Sequence, residues 1–123
     1  MQNMDLYYDF SGQKFGYPLS LSINGFSRNI FSRQSNLEIS YVLKGEYEAI
    51  TTQFSYVLKE RELIVIAPHD IHMLHKKDQN DPGIILTIHI DFSRMTDAMA
   101  GNFHNVFSTA VCTDTRNKKT ILS

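Results

Sequence analysis

The stretch Leu37-Glu38-Ile39-Ser40-Tyr41-Val42-Leu43-Lys44-Gly45 decides how this chain is read. In an extended backbone, side chains alternate between faces, so Leu37, Ile39, Tyr41 and Leu43 fall on one side and Glu38, Ser40, Val42 and Lys44 on the other. β-Branched and aromatic residues suit the pleated conformation, and Lys44-Gly45 ends the run with a turn signal. One face is greasy and the other mixed polar. The polar face is therefore either solvated, as in many antiparallel sheets, or the lining of a barrel mouth. Alternation alone favours neither.

Outward from this strand, similar short segments recur about every ten residues, the spacing of an all-β sandwich or barrel. Strands are expected at 6–10, 19–23, 37–43, 47–50, 54–58, 63–67, 72–75 and 84–92. Between them stand turn clusters such as Asn24-Gly25 and Pro68-His69-Asp70, and the polar stretch 76–82 reads as the longest loop. The last of these strands alternates as clearly as the first: Ile84, Leu86, Ile88, Ile90 and Phe92 oppose Ile85, Thr87, His89 and Asp91. After Phe92 the period changes. Met95, Met99, Phe103, Val106, Phe107 and Ala110 recur near 3.6 residues, and Ser93 stands where a cap would, which predicts an amphipathic helix against the β body.

Composition narrows the function classes. The 123 residues suffice for one domain with a real core, so neither disulfides nor metals are needed for stability. Twelve basic and 13 acidic residues leave a formal net charge of −1, which gives no basic field for gripping nucleic acid. Apolar runs such as 63–67 and 83–87 fall far short of the ~20 residues that cross a bilayer, and residues 1–10 lack the basic and apolar regions of a signal peptide. The single cysteine agrees with a reducing compartment, so a cytoplasmic protein is expected. Cys112 has no histidine near it in sequence, no Gly-x-Ser-x-Gly elbow occurs, and no glycine-rich loop is present to cradle phosphate.

Three runs taken in order carry a family resemblance: Glu38 to Gly45, then Glu62-Leu63-Ile64-Val65-Ile66-Ala67-Pro68-His69-Asp70-Ile71-His72, and finally Ile88-His89-Ile90-Asp91-Phe92-Ser93. Together they resemble the N-terminal cupin domain of AraC-type transcriptional regulators over residues 31–94 or so. The resemblance implies a jelly-roll barrel, also called a double-stranded β-helix, with a short C-terminal helical segment. Residues 1–94 would form the effector-binding barrel with its N-terminal arm, and 95–123 the helical addition and the start of a linker to an absent DNA-binding domain. It further implies a small-molecule effector, a sugar or another small polar metabolite, and a homodimer that touches DNA only through helix-turn-helix units missing from this chain. The arm, with Tyr7, Tyr8 and Phe10, would close over the pocket or form an edge strand.

By the same resemblance, pocket-lining positions fall on Gln34, Glu38, Ser40, Lys44, His72, Leu74, Thr87 and His89. A carboxylate, hydroxyls, an ammonium and imidazoles are the groups that fix a polar ligand in a concave site. Metal-binding cupins carry two histidines one residue apart, a glutamate four positions later and a further histidine; here Ser32 and Gln34 stand at the first two positions, leaving Glu38 and His72. Two ligands do not fill a catalytic metal site, so no metal and no cofactor are expected. The triplet His69, His72 and His75 leads into a strand, where His72 and His75 project oppositely, so ordinary turn and surface roles are expected for His69 and His75 in preference to a three-histidine metal site. The expectation is a non-enzymatic sensor. The alternative is a stand-alone small cupin enzyme, isomerase- or oxygenase-like, with a degenerate metal site; for an isomerase-like reaction Glu38 and His72 would be the acid/base pair.

Overall fold

The computed structural model of the chain describes residues 6–12, 16–25, 27, 30–91, 109–112 and 121–122. Ten strands run through them: β1 (Leu6–Ser11), β2 (Leu19–Asn24), β3 (Leu37–Lys44), β4 (Tyr47–Thr51), β5 (Ser55–Leu58), β6 (Leu63–Ile66), β7 (His72–Lys76), β8 (Ile84–Ile90), β9 (Ala110–Cys112) and β10 (Ile121–Leu122). All eight expected strands are present, their ends moved by one or two residues. Ala110 is a correction: it was placed on the helical period, and it pairs instead with Val65 as the first residue of β9. The remainder of the expected helix, Phe92 and the boundary at residue 94 lie outside the described residues.

The strands form a seven-stranded sheet in the order β1-β2-β8-β3-β6-β9-β10 and a three-stranded sheet in the order β5-β4-β7. Neighbours are antiparallel throughout. Apolar side chains from both sheets meet in one cluster, with Val42, Ile64, Ile66, Ile85 and Val111 from the large sheet against Tyr47, Ala49 and Leu58 from the small one. The result is an all-β jelly-roll barrel. Among the described residues no helix is long and apolar enough to cross a membrane.

Register settles which face of β3 is inside. Glu38 lies opposite His89, Ser40 opposite Thr87 and Val42 opposite Ile85. Across β8, Ser20, Ser22 and Asn24 of β2 fall opposite His89, Thr87 and Ile85. These rows share one face, and Glu38, Ser40 and Val42 are all buried. The greasy rows Ile39 and Tyr41, and Leu86, Ile88 and Ile90, take the outer face, where they are half-buried. The interior thus grades from a polar end at Glu38 to an apolar end at Val42.

At Val42 the pairing with β8 slips, so that Lys44 falls opposite Ile84. An extra residue in one strand breaks its alternation. Lys44 therefore leaves the inward row and is exposed. Gly45 follows at φ +84°, a left-handed conformation that suits glycine, and a Cβ there would also press on the backbone of Pro82 and Gly83.

Candidate functional site

Glu38 is the centre of the polar end. Three elements bring nitrogen atoms to one of its carboxylate oxygens. Gln34, in the segment before β3, donates from Nε2 to Oε1 at 2.6 Å. His89 reaches Oε1 from the neighbouring strand, with Nε2 at 3.0 Å. His72, at the start of β7 in the opposite sheet, closes the set with Nε2 at 3.3 Å. The second oxygen, Oε2, accepts from the Ser40 hydroxyl at 2.8 Å, and Ser40 lies 3.4 Å from the Thr87 hydroxyl.

The backbone holds this geometry. Ser32 and His72 exchange both main-chain hydrogen bonds, at 2.8 and 3.0 Å, and the His69 amide donates to the Gln34 carbonyl at 2.7 Å. The segment carrying Gln34 is thereby stitched to the turn that precedes β7.

A buried carboxylate is costly unless paired and hydrogen-bonded. Glu38 is 5% exposed and His72 4%. Burial by itself would push the Glu38 carboxyl up; the hydrogen bonds from His72 and His89, with their charges, outweigh it and hold the group well below the usual carboxylate range. The His72 ring faces an acceptor on each side, the Asp70 carbonyl at 3.1 Å from Nδ1 and Glu38 at Nε2. His89 is more adaptable. With Nε2 protonated it donates to Glu38, and with Nδ1 protonated its Nε2 accepts from Gln34 at 3.0 Å.

Beside the cluster is a cavity of about 50 Å³, lined by Glu38, His72 and His89, by the polar residues Ser22, Asn24, Ser32 and Thr87, and by Ile30, Leu74 and Ile85. One water needs roughly 10–15 Å³ of such space, whereas pockets that enclose a drug-sized ligand run to several hundred. The cavity takes a few water molecules or one small polar group. A sugar exceeds it.

Of the positions expected at the site, Gln34, Glu38, Ser40, His72, Leu74, Thr87 and His89 come together here, and Lys44 does not. The bulge turns Lys44 away. Ser22, Asn24 and Ser32 were missed, although the alternation of Leu19-Ser20-Leu21-Ser22-Ile23-Asn24 carried the signal for the first two. His75 points outward to Glu48, with Nε2 3.1 Å from Oε1, and His69 is exposed at φ +71°.

The residues do not fit a metal. The nitrogens converge on Glu38 Oε1 itself and not on a point between donors. Among the described residues no group of three or more His, Cys, Asp or Glu side chains is arranged to hold a metal ion.

No protein-family model matches the chain, and neither does any curated protein. Solved structures do. A cupin 2 conserved barrel domain protein from Salinispora arenicola superposes with a TM-score of 0.57 at 13% identity, over 85% of this chain and 91% of that one. A cupin 2 domain-containing protein from Halorhodospira halophila gives 0.56 at 19% identity, over 68% of this chain and 61% of that one. Oxalate decarboxylase of Bacillus subtilis gives 0.61 at 12% identity over 84% of this chain, which spans about a third of the enzyme (34%).

Fold and site together define a cupin barrel with a buried carboxylate clamped by imidazole and amide groups. At these identities the similarity shows the fold alone. It also corrects one expectation. An enzyme shares this barrel over most of the chain, so the reading of the chain as a non-enzyme does not stand.

Proposed function

We propose that the barrel binds a small polar molecule beside Glu38, His72 and His89, and that it serves as the effector-sensing domain of a bacterial AraC-type transcriptional regulator. In this reading it works in the cytoplasm as a homodimer, and DNA contact belongs to helix-turn-helix units outside this chain. The observation that carries the binding role is the composition of the interior. At Val42, Ile64 and Ile85 the barrel fills its core with apolar groups, and one layer away it buries a carboxylate, a hydroxyl and an imidazole. Apolar residues of similar volume fold at least as well as a buried ion pair, so stability does not explain this layer. Recognition does.

The cavity limits what is recognised to a group of a few heavy atoms, such as a carboxylate, a hydroxyl or an amide. Ser22, Asn24, Ser32 and Thr87 line it with hydroxyl and amide groups. His89, by exchanging tautomers, meets either a donor or an acceptor. Ser22 and Asn24 belong to β2, which carries β1 at the sheet edge, so a ligand that moves them reaches the N-terminal strand. A ligand shifts such an equilibrium only by its differential affinity for the two states.

Thermal-shift measurements against small carboxylic acids, amino acids and polyols test this reading, since a ligand of the native state raises apparent stability. The expected outcome is a rise for at least one class, reduced in Thr87→Val; no rise for any class removes the binding role. The regulator role stands or falls on the gene downstream of Ser123, where about 100 further residues with two helix-turn-helix patterns are expected.

One observation favours a second reading, a cupin enzyme that works by proton transfer: His89, a quarter exposed, sits within hydrogen-bond distance of a buried carboxylate. In such a pair the imidazole gives and takes protons from a bound substrate while the carboxylate holds the ring in place. Turnover of a compound that also raises the melting temperature would establish it, and binding without turnover would return the site to sensing.

A further inference from the structure

The turn before β7 carries more than His72. The Asp70 carbonyl accepts from the His72 ring, and the Asp70 carboxylate accepts from the Thr109 hydroxyl. Thr109 Oγ1 also accepts from the Ala67 amide at 3.1 Å. Thr109 is buried, stands immediately before β9, and lies 39 residues from Asp70 in the chain. Between these anchors His69 holds a left-handed backbone and bonds the segment that bears Gln34. A histidine visits this conformation more readily than most residues, yet the turn needs outside contacts to keep it.

We infer that Asp70 and Thr109 are positioning residues for His72, and that their contact couples the barrel interior to β9, next to the outer strand of the large sheet. The path has three links: Glu38 to the His72 ring, the ring to the Asp70 main chain, and the Asp70 side chain to Thr109. A ligand that draws His72 or Glu38 out of place relaxes the turn and loosens Thr109, and β9 in turn carries β10, the outer strand of the sheet. The inference rests on the sensing role for its purpose, although the contacts themselves do not depend on it.

Coupling between sites is reciprocal, which makes it testable without a ligand. In Thr109→Val, which removes the hydroxyl with little change of shape, amide exchange at Ser32 and His72 is expected to accelerate about tenfold or more while exchange at Val42 and Leu58 stays unchanged. Imidazole nitrogen resonances should report an altered His72 ring in the same variant, and Thr109→Ser should restore both readouts. Glu38→Gln should accelerate exchange at the Ala67 amide, which bonds Thr109. Asp70→Ala, at an exposed side chain, carries the same test should Thr109→Val fail to fold. Unchanged exchange at Ser32 and His72, or acceleration spread equally over the core, would overturn the coupling. Either result leaves the binding role standing, and failure of every ligand to bind would leave the contacts in place.

Discussion

The two ends of the barrel interior share strands β3 and β8 and follow opposite rules. At the apolar end Val42, Ile85, Leu58 and Tyr47 are packed without regard to direction, and each contributes by the area it removes from water. At the polar end Glu38 is held by directed contacts from Gln34, His72, His89 and Ser40, and each depends on the others. The difference teaches that burial by itself is a poor guide to what a residue does. Ser40 and Leu58 are both fully buried, and only Ser40 belongs to a network that points toward a cavity.

The comparison breaks most visibly at Glu38. Glu38→Ala takes the shared acceptor away from Gln34, Ser40, His72 and His89 and should cost about 3–5 kcal/mol in chemical denaturation. Replacing both partners, Glu38→Leu with His72→Leu, should recover most of that loss, because apolar groups then fill the space of two buried polar ones. The apolar end allows no such recovery. Leu58→Ala should cost about 2–5 kcal/mol through lost transfer energy and the cavity it leaves, and a second truncation nearby adds to it.

Smaller effects sharpen the contrast. The Glu38 carboxyl is held below its unfolded value, so the stability it contributes is present above about pH 4.5 and is lost as the pH falls through and below that range. Glu38→Gln should remove this part of the acid dependence, while Leu58→Ala should shift the whole profile without changing its shape. Lys44→Ala should change stability by less than about 0.5 kcal/mol, as expected for an exposed side chain outside both layers.

Much of this was legible in the residues. Eight strands follow from their composition and turns, and Glu38, His72, Thr87 and His89, expected at one pocket, lie around one cavity. The direction of the faces did not follow, because the outer rows Ile39 and Tyr41, and Leu86, Ile88 and Ile90, are as apolar as a core, and alternation is symmetric between inside and outside. Lys44 was misplaced because a one-residue bulge leaves no mark in a regular HPHP pattern. Ala110 was misplaced because three-residue strands such as β9 are too short to show a period, and isolated apolar residues around it matched a helical one by spacing alone. His89 meets Glu38 only through the β3 and β8 register, and Asp70 meets Thr109 only through the fold; neither pairing has a local signal.

The central claim is that the polar layer exists to bind, and one comparison tests it directly: the thermal shift produced by small polar compounds in the wild-type chain and in the Glu38→Leu, His72→Leu double variant. The account predicts that at least one such compound raises the melting temperature of the wild-type chain and leaves that of the equally folded double variant unmoved. An equal rise in both, or none in either, would contradict it.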